Sequence, residues 1–154
     1  MDLTHLLDGH AVVADLPVAN KKSLFQSLGG LAERALGASA KETIEKLNER
    51  ERLGTTGFGG GVAIPHGRLP ELTEIKAALV RLERPIDYGA IDDLPVDIVF
   101  MILSPVDAGA EHLKVLAQVS RRLRDRVFVA KLRGAGSPDA LYALFAAVET
   151  RDAA

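Results

Sequence analysis

Two segments that are apolar on both faces constrain the fold of this chain most. Ile75–Leu82 and Val96–Leu103 place apolar side chains at both even and odd positions of an extended backbone. Strands of this kind lie in the middle of a sheet, with helices packed above and below. Segments with helical spacing alternate with them along the chain. The sequence therefore predicts one α/β domain spanning residues 1–154, a sandwich in which helices flank a mixed β-sheet.

Helix and strand signals divide the rest of the chain. Asn20 and the Ser39–Glu42 capping box each indicate a helix start, and Gly37 indicates a helix end. A third helix is expected to begin near Asp107, and a fourth at Ser137. The predicted inward-facing residues of the four helices are Leu24, Leu28, Leu31 and Ala35; Ala40, Ile44 and Leu47; Leu113, Leu116, Ala117 and Ser120; and Leu141, Leu144, Phe145 and Val148. An edge strand is predicted at Ala11–Leu16, and a short strand at Val62–Ile64, which Pro65–Gly67 interrupts. Val127–Leu132 fits either a helix or a strand.

Composition excludes several classes of function. The 154 residues carry a formal charge of −2 and no cysteine, which argues against a nucleic-acid partner and rules out disulfides and thiolate chemistry. The N-terminus has no basic region followed by a long apolar core, and the longest apolar run, Ile98–Leu103, is too short to span a bilayer. We therefore expect a cytoplasmic protein without membrane insertion.

A glycine-rich stretch, residues 54–61 (GTTGFGGG), is incompatible with helix. It also does not fit a nucleotide-binding loop. No lysine lies between Lys46 and Lys76, so the terminal Gly-Lys-Ser/Thr of a P-loop is missing. A dinucleotide fingerprint joins a strand to a helix, whereas this stretch follows a predicted helix and leads into a predicted strand.

Among the four histidines, His66 has the most distinctive surroundings. Pro65 fixes the backbone before it, and glycines lie on both sides. A neutral imidazole with one nitrogen free is a good nucleophile; a histidine in a tight loop without a chemical role fits the spacing equally well. His5 and His10 are expected to be surface or structural residues. A metal site formed by His66 and His112 lacks a recognisable ligand spacing, so neither a metal nor a cofactor is expected.

The run Arg50–Arg68 (RERLGTTGFGGGVAIPHGR) resembles the sequence around the phosphorylated histidine of fructose/mannitol-type IIA domains of the phosphotransferase system. A second block, Pro95–Phe100 followed by Ala110–Lys114, is similar to the same family in order and distance. The resemblance covers nearly the whole chain and implies a fold like that of IIA-mannitol. Within the family, Asp107–Leu113 (DAGAEHL) is most similar to the nitrogen-regulatory IIA branch.

This resemblance implies roles for individual residues. His66 is expected to accept a phosphoryl group on Nε2 from an HPr-type histidine phosphocarrier. His112 is expected to hydrogen-bond His66 or its phosphate, and Arg50 to neutralise phosphate charge. Thr55 and Thr56 are both candidates for binding phosphate oxygens. Without the resemblance, Arg50 would be interpreted as a solvated charge at a helix end and His112 as an ordinary residue on a helix face.

The expected partners are proteins. Phe58, Gly59–Gly61 and Arg68 are predicted to face the partner. A regulatory role is favoured, in which the phosphorylation state selects targets such as potassium-transport or sensor-kinase components. The alternative is the sugar-specific IIA step of uptake, which passes phosphate to a IIB protein. The chain contains no cysteine that could act as a IIB phosphate acceptor and no membrane span, which favours the regulatory interpretation.

Overall fold

A computed structural model describes the backbone of residues 3–153 and the side chains of residue 3 and residues 5–146. The strands are β1 (Leu7–Leu16), β2 (Gly57–Gly59), β3 (Val62–Ala63), β4 (His66–Leu69), β5 (Lys76–Ile86) and β6 (Val96–Pro105). The helices are α1 (Lys21–Leu31), α2 (Ala40–Arg52), α3 (Ala110–Arg124), α4 (Arg126–Gly134) and α5 (Pro138–Ala153). A 3₁₀ turn spans Leu3–His5, and a π-helical turn at Ala32–Leu36 extends α1.

The six strands form one mixed sheet in the order β1-β5-β6-β3-β2, with β4 also paired to β6. β5 and β6 are antiparallel, whereas β1 runs parallel to β5, and β3 and β4 run parallel to β6. The two strands predicted to be central therefore lie in the middle, and the predicted edge strand lies at one end. The α/β sandwich with a mixed sheet is confirmed.

Each face of the sheet has its own apolar core. Residues of α1 and α2, such as Phe25 and Leu47, pack with Val80 and Val99 on one face. The other face is covered by α3, α4 and α5, and its core residues include Val115, Leu132, Phe145 and Phe100. Strands β5 and β6 contribute side chains to both cores, which explains their unbroken apolar sequence.

The structure agrees with several predicted helix boundaries. Asn20 caps α1 by accepting from the Ser23 backbone, and Gly37 ends the π-helical turn at φ +69°. The Ser39 box is only half formed, because the Ser39 backbone N–H donates to Glu71 and not to Glu42.

In α2 the fully buried residues are Thr43 and Leu47, and Ile44 is partly exposed. Residues 126–134 are helical, so the ambiguity at Val127–Leu132 resolves to α4.

Predictions near the candidate site were confirmed only in part. The strand is interrupted after Ala63, but the interruption is shorter than predicted: only Ile64 and Pro65 separate β3 from β4, because the Pro65 carbonyl accepts from Ile102 and β4 pairs with β6 from His66 onwards. Helix α3 begins at Ala110, since the turn after Pro105 leaves Asp107 short of the cap position, which Gly109 occupies. The buried face of α3 is His112, Val115, Val119 and Leu123, one residue away from the predicted stripe.

In α5, Leu141 and Phe145 are buried and Leu144 is partly exposed, whereas the predicted inward position of Val148 lies outside the described side chains.

No helix in the described part of the chain is both long enough and apolar enough to cross a lipid bilayer.

Candidate phosphoryl-acceptor site

An open pocket of about 480 Å³ lies where the end of α2, strand β4 and the start of α3 meet. His66, the first residue of β4, lines it, and the pairing of β4 with β6 fixes this backbone position opposite Ile102. Arg50 enters from the last turn of α2 and His112 from the first turn of α3. Arg68 lines the same pocket. Three separate elements therefore bring basic side chains to His66.

The backbone carbonyl of Ile64, two residues earlier, orients the His66 ring. Its Nδ1 lies 2.8 Å from the carbonyl oxygen of Ile64. A carbonyl only accepts hydrogen bonds, so Nδ1 must carry the proton and donate it. In the neutral ring Nε2 then has a free lone pair. That lone pair accepts from Nε of Arg50 at 3.2 Å. The geometry defines both the tautomer and the nitrogen that is available for chemistry.

Arg50 is held by the backbone at the end of its helix. Its Nη1 donates to the carbonyl oxygen of Gly54 at 2.8 Å, while Nε faces His66. A guanidinium anchored in this way loses little further freedom when an anion binds. The positive charge therefore lies ready beside Nε2 of His66.

His112 packs beside His66, with ring centroids 5.5 Å apart at an angle of 51°. It is 5% exposed. Its Nδ1 lies 2.6 Å from Oγ of Ser104, a fully buried residue near the end of β6. The sequence analysis did not identify Ser104. The alternating side-chain pattern of β6 does not indicate a role for Ser104, because its contact His112 lies eight positions later, on α3.

Both histidines are neutral at pH 7. Burial lowers the pKa of His66, the hydrogen bond to Ile64 partly opposes this effect, and the charge of Arg50 lowers the pKa further. Burial is also the main reason that the pKa of His112 falls to about 4, with smaller contributions from the positive charge of Arg68 and from the neighbouring His66. A neutral imidazole keeps the Nε2 lone pair that a nucleophile needs.

A largely buried carboxylate next to Arg50, that of Glu51 with its side chain 9% exposed, organises the loop behind the site. Glu51 accepts from the backbone N–H and the hydroxyl of Thr56 and from Nζ of Lys21 at 2.9 Å. The Thr56 hydroxyl also contacts Tyr88 Oη at 2.6 Å. Burial alone raises the pKa of Glu51, but hydrogen bonds from Thr56, Lys21 and Thr55 outweigh it, and the pKa lies below its ordinary value.

The two candidate threonines differ in their surroundings. Thr56 is buried, and its hydroxyl is already bound to Glu51 and Tyr88. Thr55 is partly exposed, and its hydroxyl accepts from the Gly57 backbone N–H at 3.1 Å. Neither threonine is among the residues that line the His66 pocket.

Exposed apolar side chains surround His66, and the sequence analysis missed this feature. Leu53 is 85% exposed, Leu113 is 62% exposed and Val106 is 57% exposed, and all three line the pocket. We call these three residues the apolar rim. The sequence analysis predicts Leu113 on the buried face of α3, and this prediction is wrong. A helical wheel rotated by one residue would have placed Leu113 outside and His112 inside.

Phe58 and Gly59–Gly61 do not lie at the His66 pocket. They line a separate groove, together with residues of α3 and α4. Val62 pairs with Ile98 and His66 with Ile102, so Val62, the residue that follows the glycine turn, lies about 13 Å from His66 along β6, at 3.3 Å per residue. The glycines are needed for the turn itself: Gly59, Gly60 and Gly61 have φ values of +113°, +69° and +82°.

The remaining histidines lie outside this pocket. His5 and His10 are exposed, and His10 contacts Asp8. Among the described residues, no group of three or more His, Asp or Glu side chains is placed to hold a metal ion.

The chain is similar to known proteins over almost its full length. It is 44% identical to a nitrogen regulatory protein of Bradyrhizobium diazoefficiens over 146 residues, 95% of each chain. The crystal structure of nitrogen regulatory protein IIA-Ntr from Neisseria meningitidis superposes with a TM-score of 0.88 at 34% identity, covering 93% of this chain and 98% of that one. Escherichia coli IIA mannitol shares the fold, with a TM-score of 0.75 at 18% identity over 90% and 97% of the two chains.

Residues 5–148 match the family described as "Phosphoenolpyruvate-dependent sugar phosphotransferase system, EIIA 2". This match covers nearly all of the described fold, including every residue that lines the His66 pocket. The chain therefore belongs to the EIIA 2 family of the phosphoenolpyruvate-dependent phosphotransferase system.

Proposed function

We propose that this protein is a phosphoryl carrier of a nitrogen-regulatory phosphotransferase system, which accepts a phosphoryl group on Nε2 of His66 from an HPr-type phosphocarrier. The observation that carries the proposal is the orientation of the His66 ring. Nδ1 is protonated and bound to Ile64, so Nε2 holds a lone pair in the open pocket beside Arg50. An imidazole arranged in this way can attack phosphorus without first losing a proton.

The proposed transfer is an in-line displacement. The bond from phosphorus to Nε2 of His66 forms while the bond from phosphorus to the donor histidine breaks, and that electron pair returns to the donor ring. The transition state is loose, with negative charge spread over the equatorial oxygens. Arg50 supplies positive charge and His112 supplies a hydrogen bond to these oxygens. Of the two threonines, Thr55 is the better candidate for a phosphate contact, because it is partly exposed whereas Thr56 is buried.

The partner is proposed to dock on the apolar rim. Leu53, Val106 and Leu113 expose apolar side chains around His66, and such a patch favours burial against another protein. Arg68 adds a positive charge at the same pocket, which would favour a donor that carries phosphate.

Regulation is proposed to follow from the charge of His66. A neutral His66 within the apolar rim can be covered by a target protein at low cost. A phosphoryl group adds nearly two negative charges, which are costly to desolvate at an interface unless they are paired. Some targets, among them potassium-transport or sensor-kinase components, would therefore bind only the unphosphorylated form. The 44% identity to a nitrogen regulatory protein supports this interpretation.

Phosphoenolpyruvate and the two general phosphotransferase proteins test the carrier function. Incubation with all three components should add the mass of one phosphoryl group to the protein, and the adduct should be acid-labile. Omission of the HPr-type protein should abolish the adduct. A wild-type protein that gains no mass in the complete system would contradict the proposal.

The family description names a sugar phosphotransferase system, so the sugar-specific IIA function is the second candidate. Pull-downs with the wild type, His66→Ala and His66→Asp would separate the two. A regulator should recover targets with the first two proteins and lose them with the charged variant. Recovery of a sugar-specific IIB as the main partner, with a sugar-growth defect on deletion, would favour uptake.

A further inference from the structure

The phosphoryl transfer proposed above assigns no role to Ser104, although this residue contacts His112. Ser104 is fully buried at the end of β6, and its Oγ lies 2.6 Å from Nδ1 of His112. Within the described part of the chain, this is the one side-chain hydrogen bond in which Oγ of Ser104 takes part. A buried hydroxyl has one proton to donate and a cost if that proton stays unpaired.

Two arrangements of this pair are conceivable. In the first, Ser104 donates to Nδ1, the hydroxyl proton is satisfied, and the neutral ring carries its proton on Nε2. In the second, Nδ1–H donates to Ser104, the hydroxyl proton loses its partner, and Nε2 presents a lone pair to the pocket. Only the first arrangement leaves no buried donor unpaired. It also gives His112 a donor on its free nitrogen, whereas the second would set a lone pair against an anion.

We propose that Ser104 is a positioning residue that holds His112 as the Nε2–H tautomer, so that the free nitrogen of His112 is a neutral donor facing His66. This inference rests on the proposed function for its consequence, because the group that receives the donation is the phosphoryl group on His66. Burial and the facing groups Arg68 and His66 lower the pKa of His112 to about 4. The ring is therefore neutral at pH 7 and has one proton, whose position Ser104 decides.

These contacts give the two histidines different hydrogen-bonding roles. The backbone carbonyl of Ile64 holds the proton of His66 on Nδ1 and leaves Nε2 as a nucleophile. The hydroxyl of Ser104 holds the proton of His112 on Nε2 and makes that ring a donor. Two neutral imidazoles 5.5 Å apart thus present opposite hydrogen-bonding character to one pocket.

Nitrogen-15 NMR of histidine-labelled protein at pH 7 tests the tautomer directly. Long-range nitrogen–proton correlations distinguish a protonated ring nitrogen from a bare one, and loss of a signal set in His112→Gln assigns the resonances. The wild type should show the proton on Nε2 of His112. Ser104→Ala should shift the ring towards the Nδ1–H form, and Ser104→Thr, which keeps the hydroxyl, should restore the wild-type pattern. An Nδ1–H tautomer in the wild type, or an unchanged tautomer in Ser104→Ala, would overturn the proposal.

The rate of phosphoryl transfer provides a second readout beside the tautomer. Phosphorylation of His66 by the HPr-type donor should slow about fivefold in Ser104→Ala, the typical effect of losing one hydrogen bond. Thr43→Val is the matched control, because Thr43 is a fully buried residue whose Oγ has no partner. An unchanged rate in Ser104→Ala would overturn the positioning role. A wild type that accepts no phosphoryl group would contradict the proposed function alone, because the NMR result still decides the tautomer.

Discussion

Nε of Arg50 lies 3.2 Å from Nε2 of His66, the ring nitrogen that the hydrogen bond to Ile64 leaves without a proton. The contact joins the last turn of α2 to the first residue of β4. Because the guanidinium also binds the Gly54 carbonyl, its charge lies beside Nε2 before a phosphoryl group arrives. In the proposed transfer the hydrogen bond from Nε must open for the Nε2 lone pair to attack phosphorus, and the nearby positive charge then stabilises the developing anion.

His66→Ala should fold normally and gain no phosphoryl group. The side chain is partly exposed at the pocket, so its removal leaves both apolar cores intact. Mass spectrometry after incubation with phosphoenolpyruvate and the general phosphotransferase proteins checks the result. His10→Ala is the control, because His10 is an exposed imidazole whose side chain is 93% accessible. Peptide mapping that located the phosphate on His5, His10 or His112 would contradict this expectation.

Arg50→Ala should slow phosphorylation of His66 by ~10-fold or more, the usual effect of removing one electrostatic contact to a developing anion. Rapid-quench measurement of the phosphorylated fraction gives the rate. Arg52→Ala removes an exposed arginine from the same last turn of α2, and it should transfer at the wild-type rate. Equal rates for the two variants would exclude Arg50 from the site.

Glu51→Gln should destabilise the protein by roughly 1–3 kcal/mol at pH 7, because the carboxylate accepts partly buried hydrogen bonds from Thr56 and Lys21. The folded-state pKa of Glu51 lies below its unfolded value. Its contribution is therefore complete above the unfolded pKa and disappears as the pH falls through the folded pKa. Urea denaturation of the wild type and the variant, at pH 7 and at a series of lower pH values, measures the difference in their free energies of unfolding. The control Glu49→Gln changes an exposed carboxylate and should have little effect; a similar loss in both variants would count against the network.

Wild-type stability should decline as the pH falls from about 6.5 towards 4, partly because of His112. Its folded pKa of about 4 lies below the unfolded value near 6.5. The unfolded chain therefore binds a proton across this range and the folded chain does not, so acid favours unfolding by up to about 3 kcal/mol. His112→Gln should flatten this part of the pH profile in thermal or urea denaturation, whereas His10→Gln should not. A His112→Gln profile as steep as that of the wild type would contradict the assignment.

Gly60→Ala should reduce stability and leave phosphorylation of His66 unchanged. Gly60 has φ +69°, and an added Cβ meets open space, so the cost is backbone strain of roughly 1–2 kcal/mol. The turn lies in the groove away from His66. Gly134→Ala is the matched control, since Gly134 ends α4 without a positive φ or a neighbour within 4 Å. A slower transfer in Gly60→Ala alone would indicate that the glycine turn contributes to the partner surface, as the sequence analysis predicts.

The local sequence determined most of the elements. Asn20 and Gly37 mark the ends of the first helical segment because capping and left-handed turns depend on a few adjacent residues. Segments β5 and β6 are recognisable as central strands because burial on both faces requires an unbroken apolar sequence. The motif around His66 was sufficient to indicate the family, since its residues are contiguous.

The tertiary structure decided which residues share the pocket. The contacts of Arg50 with His66 and of Ser104 with His112 join different elements, and the pairing of β4 with β6 sets the position of His66. The rotation of α3 puts His112 inside and Leu113 outside. The pairing of β3 and β4 with β6 carries the glycine turn away from His66. Sequence patterns report side chains within one element, whereas register and rotation are set by packing between elements, which no single segment encodes.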